Sequence, residues 1–180
     1  ASLAAGLRNG GTRQLRIAAV PSLATAVLPR AVKSFIGQYP KCKLTLETYH
    51  YDSLVDALLA GHVDVGFVYE PVAHAALATT DLLQAFFCSV STPTYFSKTK
   101  KSISVKDLVS CNIIGLSKDD LVASLIAQTD GMADIALTRN VSVETSVVAM
   151  HLAAQGMGVA LVDSLTGALG KLHGAQVLPF

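Results

Sequence analysis

The chain has 180 residues, of which 51% are hydrophobic and 15% charged, the reverse of the balance that keeps a chain disordered. Its mean hydropathy is +0.47, yet no stretch approaches the ~18 uninterrupted apolar residues of a membrane-spanning helix. Lys plus Arg total 14 against 13 for Asp plus Glu, a net charge of +1, so binding of a polyanionic nucleic acid by this segment alone is not expected.

A length of this order makes one large domain or two small lobes, burying roughly 70% of the surface that the unfolded chain exposes. So apolar a composition with so few charges predicts that a partner chain covers part of the surface. Cys42, Cys88 and Cys111 are odd in number and fit no disulfide framework or zinc ribbon. Buried free thiols are the expectation, with a redox pair of Cys88 and Cys111 as the minority alternative. A reducing, cytoplasmic setting follows. Arg8, Arg13 and Arg16 precede an apolar block that Pro21 interrupts, too short for the ~7–15-residue core of a signal peptide. The chain begins without Met and reads as a fragment or a processed product.

Residues 1–13 are small, polar and Gly-rich, a linker remnant rather than core. Leu15, Ile17 and Ala19 alternate in a first strand that stops at Pro21, and Ser22 is a residue type that caps helices. Leu28, Val32, Phe35 and Ile36 recur at helical spacing, with Pro29 confined to the first turn or distorting the helix. Leu44, Leu46 and Thr48 form a second strand. Asp52-Ser53 open the next helix, Ser53 and Asp56 having the capping-box spacing, and Gly61 stops it. Val63 to Tyr69 is a third strand. This alternation predicts a parallel sheet with crossover helices.

The pattern restarts after Pro71. Leu82 to Val90 is apolar and long enough to link two sheets. Lys98, Lys100, Lys101 and Lys106 read as a solvated loop, and Ser104 with Asp107 repeats the capping-box spacing. Asn112 to Leu116 is a strand, followed by a helix capped by Ser117 and Asp120 with Leu121, Val122, Leu125 and Ile126 inward. A strand at Val141 and Val143 leads to a helix ending at Gly156. A strand from Val159 to Val162, a helix opened by Ser164 and a short strand from Gln176 to Leu178 complete the chain. The class is α/β. A first crossing between blocks near 82–90 and a second at Gly158 to Asp163 would leave two lobes with a crevice.

Catalytic and metal motifs are missing: no nucleophile elbow, no His-Glu-x-x-His and no Walker loop. Gly156-Met157-Gly158 follows a helix instead of opening one, so it reads as a helix cap and tight turn. The histidines at 50, 62, 74, 151 and 173 form no metal-ligand pair at short spacing. No metal or cofactor is expected, and no enzyme. Asp64 reads as structural. Present instead are hydroxyls and carboxylates at strand-to-helix turns: Ser22, Asp52-Ser53, Ser117, Thr145-Ser146 and Ser164. In an open parallel sheet such turns lie at the strand carboxyl ends, where ligands bind, and helix N-termini offer N–H groups to an anion. Each residue alternatively does no more than cap its own helix.

Three ordered blocks carry a family likeness. Leu15-Arg16-Ile17-Ala18-Ala19-Val20-Pro21-Ser22-Leu23, then Leu28-Pro29, Phe35 and Tyr39-Pro40, resembles the start of the effector-binding domain of LysR-type transcriptional regulators. Gly61-His62-Val63-Asp64-Val65-Gly66-Phe67 resembles its Gly-x-x-Asp-x-Gly block. Leu152 to Val162, through Gly156-Met157-Gly158-Val159-Ala160, resembles its late Gly-x-Gly signature.

The resemblance implies a two-lobe fold like type II periplasmic binding proteins, each lobe a mainly parallel sheet flanked by helices, with two interlobe crossovers. On this reading residues 14–86 and 164–180 are lobe I, cut short at the C-terminus, and 87–163 are lobe II. It also implies ligand contacts from Ser22 and the adjoining Leu23, from Tyr51, from Tyr69 and Glu70, and from Ser117, Asp119, Thr145 and Ser146. Asp163 resembles the members that sense amino acids or opines. Asp163 or Glu70 would hold an ammonium group while Ser22 and helix N-termini hold a carboxylate; Asp163 alternatively caps the helix that follows. The implied function is effector sensing for a bacterial transcription regulator, with a small amino-acid-like carboxylate between the lobes. The implied partners are a homodimer or tetramer mate, and DNA only through a helix-turn-helix absent from this chain. Rival readings are a periplasmic solute-binding protein of the same fold, an enzyme on that fold, and a cysteine-based peroxide sensor.

Overall fold

The computed structural model describes residues 14–117, 124, 126–128 and 141–180. The linker remnant 1–13, the Asp120 cap and Asp119 lie outside the described residues. Two compact units divide between Asp81 and Leu82.

The first unit is a three-stranded parallel sheet in the order β2-β1-β3. Strand β1 (Gln14–Ala19) leads into two short helices, α1 (Pro21–Ala26) and α2 (Leu28–Gln38). Pro21 and Pro29 each stand in the first turn of their helix, where a missing N–H costs nothing. Strand β2 (Lys43–Thr48), helix α3 (Tyr51–Leu59) and strand β3 (Val65–Phe67) follow. β1 pairs in register with both neighbours, Ile17 facing Leu46 on one side and Val65 on the other. Ala18 packs with Leu54, Ala57 and Val63 in a buried cluster. Gly61 has a positive φ of 69° just beyond α3, as its role as the helix stop requires. At the amino end of the sheet Arg16 and Asp64 form a two-pronged ion pair with contacts of 2.9 and 3.2 Å. Asp64 also accepts from the Arg16 N–H at 2.8 Å and returns its own N–H to the Arg16 carbonyl at 2.9 Å. The expected structural role of Asp64 holds: it fastens β3 to β1.

The second unit holds a five-stranded sheet in the order β6-β5-β7-β4-β8. Its strands are β4 (Phe87–Ser91), β5 (Ile113–Leu116), β6 (Val141–Val143), β7 (Val159–Asp163) and β8 (Gln176–Pro179). The described helices are α4 (Val105–Leu108), α5 (Ser146–Ala154) and α6 (Ser164–Leu172). β6, β5 and β7 run parallel, while β4 runs against both β7 and β8. All of β7 is buried, which is why it reads as an unbroken apolar run rather than an alternating one.

Two expectations are corrected here. Residues 164–180 do not return to the first lobe: β8 pairs with β4, Cys88 opposite Pro179, and Gly167 of α6 lies against the Cys88 sulfur. Gly158 to Asp163 is not a crossing, because β7 makes its pairings inside the second sheet. The second sheet stays mainly parallel, as expected, with β4 alone running against the other strands. Strand pairing is a long-range choice that local periodicity does not record.

Candidate functional site

In the first unit the candidate residues follow the carboxyl ends of the strands. The Val20 N–H continues the β1·β3 pairing to the Phe67 carbonyl at 3.1 Å. That bond holds the β1–α1 turn beside the end of β3, two residues before Tyr69. Ser22 is buried, and its hydroxyl oxygen accepts the Tyr69 hydroxyl at 2.8 Å. As an acceptor, Ser22 retains its own proton to donate. Leu23 is buried beside it; Glu70 is half-buried. Tyr51 is the first residue of α3, and the Tyr49 N–H joins the Ala19 carbonyl at 3.2 Å. Ser22, Tyr51 and Tyr69 thus stand at one edge of one sheet.

Two capping expectations fail in this unit. Val20 precedes α1 as its cap, and Ser22 sits inside the first turn. His50, not Asp52 or Ser53, caps α3, without a side-chain bond.

The second unit repeats the arrangement. Ser117 follows β5, Thr145 and Ser146 follow β6, and Asp163 ends β7, all at the carboxyl ends of the parallel trio. The Ser117 N–H bonds the Val143 carbonyl at 2.8 Å, tying the two turns together. Thr145 caps α5, accepting from the Val148 N–H at 3.4 Å. Ser146 is 2% exposed, and its Oγ has no hydrogen-bond partner among the described residues. Asp163 is equally buried and caps α6. One oxygen accepts the Leu165 and Thr166 N–H groups at 3.0 and 2.9 Å, and the other accepts the Thr166 hydroxyl at 2.7 Å. Of the two readings of Asp163, the structure displays the cap. Ser164 is not a cap; its hydroxyl accepts from the Phe86 N–H at 3.3 Å.

The cysteines are all free. Cys88 and Cys111 are buried; Cys42 is half-buried, which corrects its placement among the buried thiols. Burial, reinforced by the nearby Asp163, pushes the Cys88 thiol up to about 12 against a weaker opposing effect of Lys171. Burial raises Cys111 as well. Both thiols therefore stay protonated, each donating to a backbone carbonyl, Asp163 at 3.6 Å and Asp107 at 3.1 Å. The thiolate is the reactive form, and burial disfavours it at both positions. No group of three or more metal-ligating side chains occurs among the described residues. No helix among them is long and apolar enough to cross a membrane.

Two units of sheet and helix, with polar side chains at the strand carboxyl ends, are the features of a ligand-sensing α/β domain. Comparison with known families matches residues 8–178 to the LysR substrate binding domain, and the chain belongs to that family. Among curated proteins it is similar to the HTH-type transcriptional regulator DgcR of Pseudoalteromonas sp, 26% identical over 158 residues, covering 88% of this chain and 54% of that protein. It is likewise similar to the transcriptional activator protein LysR of Escherichia coli (strain K12), 29% identical over 169 residues, covering 92% and 53%. The chain spans about half the length of these relatives. Among solved structures, the reduced regulatory domain of OxyR2 from Vibrio vulnificus superposes with a TM-score of 0.75 at 20% identity, covering 92% of this chain and 79% of that one. That likeness shows the fold, the two-lobe type II periplasmic-binding-protein kind expected from the sequence.

The sequence pointed to Ser22, Tyr69, Thr145 and Ser146 singly. It missed the Ser22–Tyr69 hydroxyl pair, whose members are 47 residues apart and carry no local signal.

Proposed function

We propose that this chain is the effector-sensing part of a DNA-binding transcription regulator, and that its effector is a small, amino-acid-like carboxylate. DNA contact belongs to a helix-turn-helix elsewhere in the full protein, in the cytoplasm. The sensing domains associate as dimers or tetramers. Effector binding favours one arrangement of the lobes over another, which requires only that affinity differ between the two states. A coupling of roughly 1–3 kcal/mol is enough for a useful response.

The observation that carries this reading is the buried Ser146 hydroxyl at the start of α5, which has no partner among the described residues. Leaving such a group unsatisfied costs about 1–3 kcal/mol, a cost that a ligand oxygen would relieve. The Ser22 hydroxyl, aligned by Tyr69, supplies a second donor. With Asp163 occupied as a cap, the ammonium of a zwitterion falls to Glu70. Ser117, Leu23 and Tyr51 complete the proposed lining.

Calorimetric titration with free amino acids and with the same acids lacking the amine tests the site. Ser22→Ala is expected to weaken binding about tenfold or more, as the loss of a hydrogen bond to a charged group implies. Ser146→Ala carries a sharper signature: the free protein becomes more stable while affinity falls. Unchanged affinity in both variants would remove the carboxylate site.

A further inference from the structure

His151 and His173 are 22 residues apart in sequence and meet in space, their rings edge to face with centroids 4.8 Å apart. Both side chains are exposed. His151 lies in the last turn of α5, and His173 caps the C-terminus of α6. The contact follows from how these helices pack. A Cβ at Gly170 would stand 3.3 Å from Met150 and 3.2 Å from Val90, so the glycine lets α6 close on the turn of α5 that bears His151. Gly174, with a φ of 77°, then ends α6 directly after His173.

We propose that His151 and His173 form a binding site for a divalent transition-metal ion. Neutral imidazoles suit Cu2+, Ni2+ and Zn2+, whereas Mg2+ and Ca2+ prefer oxygen ligands. Solvent supplies the remaining ligands, which the exposure of both rings allows. The ends of two helices meet here, and the negative potential of a helix C-terminus favours a cation. Lys171, in the last turn of α6, opposes it as the charged neighbour on that helix. Because each imidazole is carried by a different helix, bound metal clamps α5 to α6. Once one ring is bound, the second binds at high effective concentration. The strength of the site therefore depends on both histidines together, which separates it from scattered binding at single surface histidines.

The test is titration of the untagged chain with Cu2+, Ni2+ and Zn2+, followed by calorimetry and thermal unfolding, with Mg2+ as the negative control. The wild type is expected to bind one equivalent and to unfold at higher temperature as the metal concentration rises. His151→Gln and His173→Gln, both at exposed positions, are each expected to weaken that equivalent about a hundredfold, and His62→Gln to leave it unchanged. No saturable equivalent, or one that survives either of the first two substitutions at full strength, would overturn the site. Neither outcome bears on the carboxylate titration, which draws on other residues.

Discussion

Asp107 shows what one half-buried carboxylate organises. Its Oδ1 accepts Lys100 at 2.7 Å, and its Oδ2 accepts the N–H and hydroxyl of Ser104 at 2.8 and 2.9 Å. Lys100 first, then the two Ser104 donors, hold the carboxyl down to about 2 from its ordinary 3.8. A depressed carboxylate stabilises the fold above its unfolded value, and that contribution is lost as pH falls toward the folded value. Asp107→Asn is therefore expected to lower the unfolding temperature at neutral pH and to converge with the wild type near pH 2. Melting curves across that range decide it, and a constant difference at every pH would contradict it. The Ser104–Asp107 spacing was legible in the sequence. The identical spacing of Ser53 and Asp56 was not a cap, because the Tyr49–Ala19 bond carries strand pairing onward and α3 starts at Tyr51. Ser53 then falls inside the helix. A capping motif acts only where the chain places its serine at the boundary.

At the scale of elements, the turn between α5 and β7 is the tightest joint described. Gly158 has a φ of 150°, and a Cβ there would fall on the Asn112 carbonyl oxygen. That oxygen accepts the Val159 N–H at 2.9 Å, while the Asn112 side chain donates to the Met157 carbonyl at 2.7 Å. The start of β7 is thus seated on the start of β5. Gly158→Ala is expected to cost about 2–4 kcal/mol, from a disallowed backbone conformation and a backbone clash together. Urea unfolding measures it, and a change within about 0.5 kcal/mol would show that the joint yields. Gly156-Met157-Gly158 was legible in the sequence as a turn, and the positive φ of Gly156 agrees. The clash partner, more than forty residues upstream, was out of reach of any local pattern.

At the scale of the whole molecule, the proposed effector residues are distributed over both units, and hydrogen exchange reads each unit separately. With a bound amino acid, exchange is expected to slow at the start of α1 around Ser22 and at the start of α5 around Ser146, two segments on opposite sides of the Asp81–Leu82 division. Protection at only one of these two segments would remove the other from the proposed lining. The readout suits the question because amide exchange reports opening segment by segment rather than for the molecule as a whole.

The sequence by itself determined the α/β class, the order of the described elements and the family, because apolar periodicity, proline and glycine positions and the three ordered blocks are local signals that survive without coordinates. It also identified Asp64 and the Gly156–Gly158 turn in their structural roles. Only the tertiary structure decided that β8 and α6 belong with β4, that Asp163 is a cap, that Ser22 meets Tyr69, and that His151 meets His173. Apart from the Asp163 cap, which is local, each of these joins residues distant in the chain, and the choice among such partners is made by packing and by satisfying buried polar groups, not by the residues alone.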